Sequence, residues 1–213
     1  MKKALVIGAT GLVGTELVRQ LLDTTEVENV VTLGRRKTDF KHDKLSQVEI
    51  DFENLEASAE HFQGDALFCC LGTTQAKAGG KKGLYKVDFT YVNAATKLAA
   101  QNGVTGLYLI SSVGADSGSS TSFYLKTKGE VEEAVQEMGF QRLHIFRPSL
   151  LLGDRDEFRP AEWLGSFILR PLAPLLGKYT PVTAEEVASG MLKAALEAKD
   201  GTYFHASDEL RRG

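Results

Sequence analysis

The segment at residues 3–14, KALVIGATGLVG, confines this chain to few folds. Residues 4–7 are an apolar run that reads as a buried strand. Gly8, Ala9, Thr10 and Gly11 read as a turn, and Leu12 opens a helical pattern. Gly8, Gly11 and Gly14 stand three apart, and each has a physical use. Gly8 lets the chain leave the strand with dihedrals that a side chain disfavours. A side chain at Gly11 would hold a pyrophosphate away from the backbone, and Gly14 lets the helix lie close to the sheet. The N–H groups opening that helix have no partner within it and, with its dipole, suit a phosphate. A glycine triplet alone says little. Between a buried strand and a helix it predicts the dinucleotide turn of a doubly wound parallel α/β sheet of Rossmann type.

The rest of the composition narrows the class. A chain of 213 residues can bury one sizeable core. No repeat, low-complexity tract or linker divides it, so residues 1–213 read as a single domain. A net charge of −3 leaves no electrostatic footprint for nucleic acid. The two cysteines, Cys69 and Cys70, are adjacent in an apolar run. Strand neighbours point to opposite faces, which disfavours a disulfide, and no nearby His or Cys completes a metal site. Buried free thiols suit a reducing compartment. Met1, Lys2 and Lys3 before an apolar run imitate a signal peptide, but Gly8, Thr10 and Gly11 break the run at once. No segment reaches the ~20 apolar residues that span a membrane. The expectation is a cytoplasmic protein without a transmembrane segment.

Later strands are expected at residues 29–33, 45–52, 66–71, 107–110, 143–146 and 202–205, and helices at 53–62, 84–101, 124–138 and 184–198. The second strand runs into Gly34, Arg35, Arg36 and Lys37, where an acid would read a free ribose 2′-hydroxyl. Two guanidinium forks stand there instead and suit a 2′-phosphate, so the cofactor expected is NADP(H) rather than NAD. At the third strand's end, Asp51 could accept from an adenine amino group with Phe52 flanking the ring. Asp51 could equally cap the next helix. Gly72 and Thr73 follow the fourth strand and are small enough for a ribose and nicotinamide to pass over the sheet edge. Residues 75–83 carry glycines and lysines and suggest a loop near the cofactor, or simply a solvated one. Val87, Tyr91, Ala94, Ala95, Leu98 and Ala99 are the expected apolar face of the helix that follows.

The chemistry gathers at the fifth strand, which ends in Ser111 and Ser112. The next helix carries Tyr124 and Lys128 one turn apart and therefore on one face. An ammonium beside a phenol favours the phenolate. Such a tyrosine can give a proton to a carbonyl oxygen as hydride arrives. Ser112 can hydrogen-bond the same oxygen; Ser111 is the fallback, because the two point opposite ways. Lys128 would also hold the nicotinamide ribose. Pro148 would stiffen the turn beside the nicotinamide. Residues 154–181 are irregular and rich in arginine, aromatic residues and proline. They read as a substrate flap, with Arg159 reaching back to the cofactor. A dimer face, which leaves homo-oligomerisation open, or a membrane-surface contact are the other readings.

Six segments, GATGLVG, LGRRK, CCLGTT, LISSVGAD, YLKTKGEVE and FRPSLLLGDRDEFRPAEW, together resemble the atypical short-chain dehydrogenase/reductases related to the Tat-interacting protein. The resemblance covers nearly the whole chain. It implies a single Rossmann-type domain that binds NADPH. It carries the cofactor role onto Thr10, Gly11, Leu12, Val13, Arg35, Arg36, Leu71, Leu151 and Arg159, and the proton-donor role onto Tyr124 with Lys128. The activity expected is hydride transfer between NADP(H) and a small carbonyl or alcohol, with Tyr124, Lys128 and Ser112 catalytic. The alternative is an NADP(H)-responsive regulatory binding protein with little turnover.

Overall fold

The computed structural model describes residues 1–152 and 177–211. Seven strands form one parallel sheet: β1 (Lys3–Ile7), β2 (Asn29–Gly34), β3 (Leu45–Glu49), β4 (Ala66–Cys69), β5 (Gly106–Ile110), β6 (Arg142–Arg147) and, after a separate pair, β9 (Gly201–Ala206). Their order is β3-β2-β1-β4-β5-β6-β9, and every neighbouring pair is parallel. The direction of winding reverses between β1 and β4, the crevice where doubly wound sheets bind ligands. The separate pair, β7 (Leu151–Leu152) and β8 (Val182–Thr183), is short, parallel and unforeseen in the sequence. The architecture is the expected Rossmann-type α/β domain.

Helices cover both faces because the central strands are apolar on both sides. Helix α1 (Leu12–Asp23) buries Leu17, Val18, Leu21 and Leu22, the expected stripe. Each such side chain contributes roughly 1.5–3 kcal/mol relative to exposure. The next helical run comprises α2 (Lys81–Tyr85), a wider π-type turn (Lys86–Tyr91) and α3 (Val92–Gln101); α4 (Phe123–Gln136) follows β5. Helix α5 (Ala184–Glu197) packs beside α1 on one face, while α3 and α4 share the other. Its start is the expected capping box: the Glu186 N–H donates to Thr183 Oγ1 (3.1 Å), and the Thr183 N–H to Glu186 Oε2 (2.7 Å). A last turn of helix, α6 (Ser207–Leu210), follows β9. Among the described residues, no helix is long and apolar enough to cross a membrane.

Three expectations need correction. β3 stops at Glu49 rather than residue 52, because Asp51 folds the chain into a turn: its carbonyl accepts from the Asn54 N–H and its Oδ1 from the Glu53 N–H. The segment after it is a tight 3₁₀ turn (Leu55–His61) rather than an α-helix. The long helix begins three residues early and buries Leu84, Asp88, Val92, Ala95, Thr96 and Ala99, so its buried line includes a charge. Cys69 and Cys70 are free and sit on opposite faces of the sheet, as expected.

The sheet's last strand is joined through two histidines. His144 Nδ1 on β6 and His205 Nε2 on β9 lie 2.9 Å apart, and His144 stacks between Tyr108 and Tyr203. Burial pushes both imidazoles below their ordinary pKa, and His205 adds to the effect on His144. In the unfolded chain each takes up its proton near pH ~6.5, before the folded chain does. The unfolded state then binds more protons, and stability falls as pH drops below that value. Thermal melts from pH 8 to pH 5 should show Tm falling below about pH 6.5. His205→Gln should flatten the slope; an unchanged slope would remove the pair from the account.

Candidate active site

All the groups of interest stand at the carboxyl edge of the sheet. Gly8, one residue past β1, takes φ 78°, and a Cβ there would come within 2.5 Å of the Cys70 carbonyl. A Cβ on Gly14 would overlap the Gly8 carbonyl oxygen, so α1 can lie on the turn only without it. Gly11 caps α1 with no side-chain hydrogen bond to the first turn, and Thr10 and Gly11 are exposed. The helix therefore opens towards solvent with its first N–H groups free of a side-chain cap, beside Leu12 and the buried Val13. This glycine cradle fits a pyrophosphate.

The β1–β2 register sets Ile7 opposite Leu33, which brings Arg35 and Arg36 to the flank of that cradle. Both arginines are exposed, and neither has an acidic partner among the described residues. Asp51 is exposed, with Oδ1 occupied by its own turn. Phe52 is buried with its ring 5.1 Å from that of Tyr91, so its side chain belongs to the core.

Beyond β4 the chain passes Leu71, Gly72 and Thr73, and here lies a group that the sequence reading passed over. Lys128 of α4 is 3% exposed and pairs with the fully buried Asp88, Nζ to Oδ1, at 2.9 Å. Asp88 Oδ2 accepts from the Thr73 N–H at 2.9 Å. Nζ is also 3.5 Å from the Ile110 carbonyl oxygen and lies over the Tyr124 ring, 5.9 Å from its centroid. Burial works against the ammonium, but the charge of Asp88, helped by Tyr124, outweighs it and holds Lys128 above its ordinary pKa. Burial pushes the neighbouring Cys69 thiol up to about 12, so it is inert as a nucleophile. Asp88 was legible in one respect: it stands four residues after Leu84 and four before Val92, inside an apolar line.

A second buried acid separates the two serines. Glu132, one turn beyond Lys128 on α4, accepts from Ser111 Oγ and from the Arg147 guanidinium at the end of β6, with Nε at 3.0 Å. Ser111 is thereby spent on holding α4 to the sheet. Ser112 is half-buried, and its hydroxyl makes one long contact, 3.4 Å to the Val113 carbonyl. Pro148 is buried and its carbonyl accepts from the Val113 N–H at 2.9 Å, tying the β5 and β6 ends together. Leu151 is half-buried in β7. Arg159 and the flap expected at 154–181 lie outside the described residues, apart from the latter's last five positions.

A glycine-lined strand-to-helix turn at the switch point of a parallel sheet marks a dinucleotide-binding domain of Rossmann type. The chain belongs to the NAD(P)H-binding family, whose profile matches residues 8–198. Over 167 residues it is 44% identical to the protein HTATIP2 of Rattus norvegicus, covering 76% of this chain and 68% of that protein. It is 34% identical over 225 residues to a protein of Aspergillus niger named fmp52, mitochondrial, covering 99% of this chain and 94% of the relative. Among solved structures, MoeE5 in complex with UDP-glucuronic acid and NAD superposes with a TM-score of 0.73 at 17% identity, covering 95% of this chain and 75% of that one. A UDP-glucose 4-epimerase of Thermotoga maritima gives 0.72 at 14% identity, covering 99% and 80%. At such identities the common element is the fold.

Proposed function

We propose that this protein is an NADPH-dependent oxidoreductase acting on a small carbonyl or alcohol. The observation that carries the reading is the arc from Gly8 past Cys70 and Gly72 to Lys128, with Tyr124 on the same face of α4 and Ser112 at the end of β5. The cradle at Thr10, Gly11, Leu12 and Val13 would hold the pyrophosphate, and Arg35 and Arg36 a 2′-phosphate. Gly72, Thr73, Pro148 and Leu151 would line the passage to the nicotinamide, and Asp51 with Phe52 the adenine corner. Reduced nicotinamide supplies a hydride when bound.

The side chains do the rest. Tyr124 Oη gives its proton to the substrate oxygen and takes it back in the reverse direction. Ser112 Oγ donates a hydrogen bond to the same oxygen and fixes its direction. Lys128 offers an ammonium proton to the ribose hydroxyls and keeps a positive charge beside the phenol. A regulatory protein would share the cofactor site but have no use for a proton donor. The compartment proposed is the cytoplasm, which suits free Cys69 and Cys70.

Calorimetric titration with NADPH, followed by NADPH oxidation across a panel of aldehydes and ketones, tests the proposal. Binding with turnover of at least one carbonyl is expected. Binding without turnover on any of them would favour the regulatory reading, and no binding heat would overturn both.

A further inference from the structure

A buried ammonium needs compensation, and a buried carboxylate needs it as much. Lys128 and Asp88 supply it to each other from different elements, α4 and the Lys86–Tyr91 turn. The widened turn matters here. It carries Asp88 between the buried Leu84 and Val92, and widened turns of this kind in helices are frequently found at functional positions. Among the described residues, the groups around Nζ are few. Asp88 faces it from that turn, Tyr124 from its own helix, the Cys69 thiol from β4 and the Ile110 carbonyl from β5. Asp88 Oδ2 is tied to the Thr73 N–H, whereas the fully buried Oδ1 has, among the described residues, no partner except the ammonium. The pair is buried, and the space that a Cβ on Gly72 would take lies directly beside it, 3.5 Å from Asp88 Oδ1 and 3.7 Å from Lys128 Nζ.

We propose that Asp88 is a positioning residue: it keeps the Lys128 ammonium charged and aimed at the gap over Gly72, so that the ribose subsite is built before the cofactor arrives. The ribose clause rests on the NADPH reading above; the action of Asp88 on Lys128 does not. The ammonium has three protons, of which Asp88 takes one and Ile110 weakly another, which leaves one for an incoming hydroxyl. Asp88 Oδ1 keeps acceptor capacity for that hydroxyl's own proton. A single vicinal diol thus satisfies both partners, whereas Lys128 alone could be met by any anion.

The test follows Lys128 directly, without turnover. Side-chain NMR titration of the cofactor-free protein, with the lysine signal assigned through Lys128→Arg, should show Lys128 titrating above its ordinary value. In Asp88→Asn the burial remains and the charge is gone, so Lys128 should titrate below that value. An unshifted titration in a folded Asp88→Asn protein would overturn the proposal. Should Asp88→Asn melt too readily to titrate, the double variant Asp88→Asn/Lys128→Met keeps it testable. Removal of both charges should raise Tm above that of Asp88→Asn, and no recovery would count against a compensating pair. With NADPH as the probe, Asp88→Asn should weaken binding about 10-fold to 100-fold, and more so as pH rises and Lys128 loses its proton. Wild-type protein that binds no NADPH would sink the cofactor reading while the titration result still stood.

Discussion

Tyr124→Phe should lower turnover by about 10²–10⁴-fold, the usual contribution of a positioned general acid. NADPH affinity should stay within about two-fold of wild type, because in the proposed mechanism the phenol hydroxyl serves the substrate and not the nucleotide phosphates. The ring is half-buried beside Lys128, so phenylalanine fills the same space and folding should be preserved. The control that separates chemistry from packing is Lys128→Met. That variant removes an ammonium paired with Asp88 and should cost both nucleotide affinity and stability, since it strands a buried carboxylate. Stopped-flow measurement of NADPH oxidation, with calorimetry for binding, reads both quantities. If Tyr124→Phe turned over every substrate as fast as wild type, the proton would have to come from elsewhere.

Arg35→Ala combined with Arg36→Ala should reverse the choice of coenzyme. The two guanidiniums are exposed at the end of β2 with no acidic partner among the described residues. Their removal should therefore cost the fold almost nothing, and Tm should hold. A charged hydrogen bond contributes about 1.5–3 kcal/mol. Loss of two such bonds lowers NADPH affinity by about 10²–10⁴-fold at low salt. NADH, lacking the phosphate, should bind the variant as it binds the wild type. Added salt should weaken NADPH in the wild type and matter less in the variant. Equal loss of both coenzymes would place the arginines on a phosphate they share, and no loss would remove them from the site.

The nucleotide half of this domain was readable residue by residue. An apolar run, three glycines and a helical stripe are local patterns, and the turn they encode closes over a few residues. Gly8 and Gly14 carry the contacts that their spacing implied, and Leu17, Val18, Leu21 and Leu22 are the buried face. The pairing of Thr183 with Glu186 was legible for the same reason, since a capping box spans three residues. The third strand was misjudged where one side chain, Asp51, turned the backbone sooner than the alternation of apolar residues indicated. That is a contest between a local hydrogen bond and a ladder, and composition does not reveal its winner.

The half that bears Tyr124 and Lys128 divides differently. Tyr124 and Lys128 share a face by helix geometry alone, so their association was present in the sequence. Their surroundings were not. Asp88 is 40 positions from Lys128, and an acid within a helical run reads as a solvated residue until the tertiary fold seals it. The engagement of Ser111 likewise waited on Glu132, which reaches it from α4 and is itself held by Arg147 of β6. The sequence by itself determined the parallel α/β class, the glycine turn, the basic end of β2 and the helix face that bears a phenol and an amine, because each is a periodicity or a contact within one or two turns. The tertiary structure alone decided which charges are buried and what compensates them, because desolvation depends on every element packed around a group, and those elements come from all parts of the chain.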